Sequence, residues 1–252
     1  MNSLDIDTLF IGRNSFYFEE ISSTNEWLMK ENFQRQMAEG TIVFATDQKN
    51  GKGQRDNKWI AENFNSLTFS ILLKPSFIKP CQAFDISICS ALAINQCLND
   101  LRPGFSIKWP NDIFFDDKKI SGILIENQFR NNNYINAIVG IGLNINQKNF
   151  KDLPKAISLR QIIGVSFPPE KIMIKICELL EGFYLQLRAG NYKLLKERYI
   201  LSLYGFGKWR FFKTRKTTFR GKIKNVLRSG HLQIESLDGS LQDFDIKQLK
   251  FL

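Results

Sequence analysis

The chain has 252 residues, 43% of them hydrophobic and 13% aromatic, which is enough apolar material to close a substantial core and too much for a long disordered segment. Thirty-five Lys and Arg against 25 Asp and Glu give a formal charge of +10 and favour acidic partners, nucleic acid or an anionic surface, without choosing among them. Four cysteines with no CxxC pair and a single histidine, His231, exclude a His/Cys zinc site and leave a Ser/His/Asp or Cys/His nucleophile without support. Cys81, Cys89 and Cys97 recur every eight residues in a stretch read as helix, and with Cys177 they are expected to be reduced side chains of a cytoplasmic protein. The N-terminus carries Asp5 and Asp7 and no apolar leader, and no later run approaches a membrane span. A soluble, unprocessed protein with no membrane partner is therefore expected.

Ser23 followed by Glu26 has capping-box spacing and predicts a helix from about Asn25 to Asn32. Ser23, Thr24 and Asn25 either cap a surface helix or hold a neutral polar ligand with hydroxyls and free N–H groups. Thr41 to Thr46 and Leu67 to Leu73 read as strands, the second with Leu67, Phe69, Ile71 and Leu73 on one face. Between them lies a basic glycine loop, Lys49-Asn50-Gly51-Lys52-Gly53-Gln54-Arg55, with Trp59 as its one large anchor. A connection of that length suits a lid or binding loop whose backbone donates to an anion.

Phe84 to Leu101 reads as a helix that ends before Arg102-Pro103-Gly104. In Lys108-Trp109-Pro110-Asn111-Asp112, Pro110 cannot extend a ladder, so a strand ends there and gathers a cation, an amide and a carboxylate at its mouth. Asp112 to Phe115 and Ile120 to Glu126 form a hairpin, with Gly122 marking a bulge or a ligand pressed on the backbone. In the strand Ile135 to Ile145, Val139, Ile141, Leu143 and Ile145 face one way while Gly140, Gly142 and Asn144 face the other. That bare face either admits a closely packed helix or floors a ligand cavity. Helices follow from Pro168-Pro169-Glu170 toward Arg188 and over about Tyr192 to Ser202. From Gly205 the pattern changes to short strands with a hairpin signal at Asp238-Gly239. The organisation expected is a domain over 1–204 and a small β domain over 205–252, too short to hold an independent core and so packed on the first.

There is no GxxxxGK[ST], and Gly51-Lys52-Gly53 lacks the third glycine of a dinucleotide fingerprint. A reaction that needs only positioning and charge neutralisation fits better: a substrate carboxylate attacks an α-phosphate, lysines offset the repulsion of two anions, and a carboxylate holds Mg²⁺.

Taken together, Ser23-Thr24-Asn25, Gln48 with Gly51-Lys52-Gly53, Trp59, KWPND at 108–112, Lys119-Ile120-Ser121-Gly122-Ile123-Leu124-Ile125-Glu126 and Gly140-Ile141-Gly142-Leu143-Asn144-Ile145-Asn146 make the sequence resemble the biotin protein ligases over about residues 22–159. The resemblance implies an α+β fold, with a mixed β-sheet catalytic domain of the biotin/lipoate ligase type and a C-terminal SH3-like β-barrel. It implies that biotin and ATP form biotinyl-5′-adenylate, which a lysine of the biotin carboxyl carrier protein of a carboxylase such as acetyl-CoA carboxylase then attacks. By that similarity Ser23, Thr24, Asn25 and Gln48 bind the ureido ring. The loop residues Gly51, Lys52, Gly53, Gln54 and Arg55 close over the adenylate, with Lys52 catalytic and Trp59 in the binding site. Lys108 bridges the biotin carboxylate and the α-phosphate, and Asn111 and Asp112 serve the nucleotide and its Mg²⁺. Gly122, Ile123, Gly140, Gly142 and Asn144 floor the pocket.

The loop departs from the family's usual GRGRxG or GRGQxG, since Lys52 stands where arginine is common and Asp56 where glycine is; lysine offers a point charge instead of a bidentate fork. The catalytic motif begins within about twenty residues of Met1, so the DNA-binding domain some ligases carry is not expected, nor is DNA as a partner. Part of the positive charge is assigned to an acidic acceptor domain, and an exposed sheet edge could pair two subunits as a homodimer. A lipoate-protein ligase, or a basic nucleic-acid-binding module with a β tail, are the alternatives.

Overall fold

The computed structural model describes residues 5–53, 58–60, 64–151 and 153–252. Seven strands, β1 (Ser15–Ile21), β2 (Ile42–Gln48), β3 (Ser66–Leu73), β4 (Phe105–Lys108), β5 (Asp112–Phe115), β6 (Lys118–Arg130) and β7 (Asn133–Asn144), form one mixed sheet in the order β1-β2-β3-β7-β6-β5-β4. β1 runs parallel to β2, and the other ladders are antiparallel.

The two faces of this sheet are covered differently. Leu67, Phe69, Ile71 and Leu73 of β3 join Val139, Ile141 and Leu143 of β7 in the main core, under α2 (Phe84–Leu101), α4 (Pro169–Arg188) and α5 (Tyr192–Leu201). The other face carries α1 (Thr24–Arg35), whose Leu28 packs on Val43, Leu72 and Ile138. All eight residues of β3 are therefore buried, because a central strand covered on both faces need not alternate.

The helix predicted over 84–101 has those bounds. β1 and the short α3 (Leu159–Ile163) were not expected, since Ser15–Ile21 mixes aromatics and glutamates in a pattern that only its parallel partner resolves. β6 and β7 extend further than predicted and meet at Asn131 and Asn132, both with positive φ (48° and 61°), the conformation a two-residue hairpin turn requires. Cys81 is exposed in a 3₁₀ turn and not on a helix face, while Cys89, Cys97 and Cys177 are buried free thiols. Burial pushes the Cys97 thiol up to about 12, so it stays protonated and inert. No helix of the described residues is long and apolar enough to cross a membrane.

The C-terminal strands β8 (Trp209–Lys213), β9 (Thr218–Val226), β10 (Leu232–Ser236), β11 (Leu241–Phe244) and β12 (Lys250–Phe251) form a second, antiparallel sheet in the order β11-β10-β9-β8-β12. The expected barrel is not closed: β11 and β12 lie at opposite edges with no ladder between them. Phe212, Ile223, Leu232 and Ile234 belong to the main core, so a segment too small for its own core shares one.

An ion pair ties this sheet to α2. Asp85, 1% exposed, accepts from the Arg228 guanidinium at 2.9 and 3.2 Å. Burial raises its pKa against the downward pull of the arginine. Arg228→Met strands a buried carboxylate and is expected to cost about 3 kcal/mol, read as a lower urea midpoint at unchanged slope. Adding Asp85→Asn should recover most of that loss.

Candidate functional site

The sheet face under α1 is apolar at one end and bare at the other. Register places Ser70 of β3 beside Gly140 of β7, Thr68 beside Gly142, and Gly142 beside Gly122 of β6, so three adjacent strands present small or absent side chains to one spot. Above it lies a cavity of about 150 Å³. Two side chains fill part of the space the glycines leave: a Cβ on Gly140 would stand 2.3 Å from Asn25 Oδ1, and one on Gly142 would stand 2.3 Å from the Trp59 ring. Both readings of the bare strand therefore hold, since groups approach closely and a cavity remains.

Ser23, Thr24 and Asn25 reach the cavity because they begin α1. Ser23 caps the helix by accepting from Glu26 N–H, which points the first turn at the glycine floor. Thr24 N–H and Oγ1 donate to Gln48 Oε1 at 2.9 and 3.1 Å. Ser70 Oγ donates its one proton to Asn25 Oδ1 at 2.5 Å and lies 2.7 Å from Thr24 Oγ1, whose hydroxyl can donate to it in place of Gln48, while Asn25 Nδ2 donates to Glu126 Oε2 at 2.8 Å. Ser23, Thr24, Asn25 and Ser70 are almost fully enclosed, so with half-buried Gln48 they form a preset polar wall suited to an uncharged ring with its own donors and acceptors.

The charged side is made by Lys119 and Asp112, both lining the cavity, with Lys119 Nζ 2.7 Å from Asp112 Oδ1. Lys119 and Gly122 differ by an odd number of residues and would normally face opposite ways. The ladder shifts register between Ile113 and Phe114, which pair with Ser121 and Lys119 respectively. The extra residue is Ile120, and this bulge turns Lys119 to the face of Asp112 and Gly122. Its backbone is clamped from outside by Lys119 N–H donating to Lys155 O (2.7 Å) and by Ile157 N–H donating to Lys119 O (3.0 Å). The bulge lies at Ile120 and not at Gly122, which instead lines the cavity.

Lys108, placed by the sequence reading at the reacting centre, does not line the cavity. Its ammonium lies 4.5 Å from the ring centre of Phe114 on the neighbouring strand β5 and 5.4 Å from that of Phe251 in the second sheet, while register sets Lys108 opposite Asp112. Burial lowers its pKa, partly opposed by Asp112. Asn111 does not line the cavity either: its Nδ2 donates to Ile123 O at 2.9 Å and holds the hairpin tip to β6. Asn144 donates to Ile157 O and accepts from Gln147, fixing the loop behind Lys119 and not the floor. Gly51 lies outside the lining as well, packed against Trp59 and Gln48.

Lys52, Gly53, Trp59, Gln48, Gly122, Ile123, Gly140 and Gly142 do line the cavity. Lys52 is ion-paired with Glu26 of α1, and that partner raises its pKa. The Trp59 N–H lies enclosed with no hydrogen-bond partner among the described residues. Gln54 and Arg55 fall outside the described residues. Sequence reasoning gave no site role to Lys119, Lys58, Thr68 and Leu124, although Lys119 and Leu124 stand in one of the stretches that carry the resemblance. No group of three or more His, Cys, Asp or Glu among the described residues could hold a metal ion. Mg²⁺ accompanying a nucleotide needs one or two protein carboxylates, with phosphates and water completing the sphere, and Asp112 fits that requirement.

Fold and site define a protein in which a helix N-terminus and an ammonium–carboxylate pair line one cavity over a glycine floor. A family model described as the biotin/lipoate A/B protein ligase family matches residues 17–144, and the chain belongs to that family. The bifunctional ligase/repressor BirA of Bacillus subtilis (strain 168) is 30% identical over 243 residues, covering 93% of this chain and 73% of that protein. The biotin–[acetyl-CoA-carboxylase] ligase of Mycobacterium tuberculosis is 27% identical over 186 residues, 69% of this chain and 65% of that one. Among solved structures, the biotin protein ligase of Aquifex aeolicus in complex with biotin and ATP is similar at a TM-score of 0.79 and 24% identity, over 95% of this chain and 99% of that one; this is a likeness of fold. Like these relatives, the protein is a ligase.

Proposed function

We propose that the protein activates biotin with ATP and transfers the biotinyl group to a lysine of a biotin carboxyl carrier domain, as in an acetyl-CoA carboxylase. The observation that carries this reading is the Lys119–Asp112 pair at 2.7 Å beside the glycine floor, at the opposite side of the cavity from an uncharged wall of hydroxyls and amides.

In the first step a carboxylate oxygen of biotin attacks the α-phosphorus of ATP, the bond to the β,γ-diphosphate breaks, and pyrophosphate leaves. In the second the acceptor lysine amine attacks the acyl carbon, AMP leaves with the bonding pair, and the amine loses a proton. Neither step needs an enzyme nucleophile, which agrees with the lack of one. Ser23, Thr24, Asn25 and Gln48 hold the ureido ring, and the unpartnered Trp59 N–H offers one further donor. Lys119 offsets the repulsion between carboxylate and phosphate, a role with an electrostatic origin, and Lys52 joins it once it leaves Glu26. Asp112 would hold Mg²⁺, which neutralises phosphate charge when bound. Lys108, at the rim, acts on this site only through its charge.

Incubation with radiolabelled biotin, MgATP and a carrier domain is expected to label the carrier. Labelling that fails, or that radiolabelled lipoate supports equally well, would overturn the assignment.

A further inference from the structure

The second sheet carries charge that the ligase site does not use. Between Gly205 and Ile234 there are nine Lys or Arg and no Asp or Glu. Two of the nine are spent inward, Arg210 on Tyr204 and Arg228 on Asp85. The others lie on the β8–β9 hairpin and its approaches, so the +10 charge of the chain is concentrated here.

The outer face of that hairpin has a specific composition. Trp209, Phe211 and Lys213 of β8 stand opposite Lys222, Arg220 and Thr218 of β9, and register puts all six on one face, away from buried Phe212 and Ile223. Phe211 is 58% exposed and Trp209 38%. Lys222 Nζ is 4.9 Å and Arg220 Cζ 6.0 Å from the Trp209 ring centre. A carboxylate beside them, Glu235, bonds Lys222 at 2.8 Å and Lys224 at 3.6 Å, and a single carboxylate shared by two lysines leaves cations in excess.

We propose that this face binds single-stranded nucleic acid. Two exposed rings two residues apart on a strand, about 6.6 Å along its axis, with cations across from each, are what stacked bases and a tracking phosphate backbone require. A duplex hides the base faces that Trp209 and Phe211 would contact, and no helix stands on this face to enter a groove. The absence of a DNA partner expected from the N-terminal sequence does not bear on this surface, which lies at the other end of the chain.

The test uses the full chain and a fluorescein-labelled oligothymidylate of about twenty nucleotides, followed by anisotropy. Binding is expected at about 50 mM salt and should weaken at least tenfold by about 200 mM. Trp209→Ala with Phe211→Ala keeps every charge and should weaken binding about tenfold or more, with thermal melting and biotin-dependent pyrophosphate exchange unchanged. If that variant melts early, Lys213→Glu with Arg220→Glu reads the same face through charge and should abolish binding. No binding at the lower salt, equal binding of a duplex with no effect of the aromatic variant, or tighter binding of polyglutamate than of the oligonucleotide would each overturn the proposal, the last in favour of an acidic protein partner.

Discussion

Lys119→Ala is expected to slow biotin-dependent exchange of pyrophosphate into ATP by about 10³-fold, the loss that follows removal of one preorganised charge-stabilising group. The side chain lines the cavity, pairs with Asp112, and is carried on backbone held by Lys155 and Ile157. Alanine keeps those backbone bonds, so the protein should fold. Biotin affinity measured by calorimetry should fall far less than the exchange rate, because the ureido wall lies elsewhere. Lys108→Ala should cost no more than about tenfold, since its ammonium lies against Phe114 and Phe251 and outside the cavity lining. A larger loss for Lys108→Ala than for Lys119→Ala would return the central role to Lys108.

Gly140→Ala should weaken biotin binding about 100-fold. The new methyl would lie 2.3 Å from Asn25 Oδ1, 2.9 Å from its Cγ and 3.0 Å from its Nδ2, and Asn25 cannot yield cheaply. It is held by Ser70 and Glu126 in a nearly closed environment. Forcing it aside breaks two hydrogen bonds worth about 1 to 1.5 kcal/mol each, and overpacking adds about 1 to 3 kcal/mol to the cost of folding. Gly182→Ala is the control, since a Cβ there meets nothing within 4 Å. In the middle of α4 it should stabilise by about 0.5 to 1 kcal/mol and leave biotin affinity unchanged. A Gly140→Ala protein that binds biotin normally would show that Asn25 is not part of the binding wall.

Much of this site was legible residue by residue. Ser23 and Glu26 announce the start of α1, and Gly140 and Gly142 alternating with Val139, Ile141 and Leu143 announce a strand with one empty face; both signals are local, written in capping chemistry and in the two-residue period of a strand. The same locality explains what could not be read. β1 needs β2 as a parallel partner, and the turn at Asn131 and Asn132 is recognisable only once the two long strands are aligned. Asn111 and Asn144, polar residues inside a motif, suggested ligand contacts, yet each amide donates to a backbone carbonyl, of Ile123 and Ile157, partners 12 and 13 residues away that composition does not disclose.

Local pattern is enough to write a capped helix bearing hydroxyl and amide groups and a glycine-cleared strand to set against it. That Lys119 lines the cavity follows only from how two strands pair. Strand periodicity assigns Lys119 and Gly122 to opposite faces, and one extra residue, Ile120, reverses that parity. A bulge forms where two paired strands disagree in length, so its position is a property of the pair and belongs to neither strand.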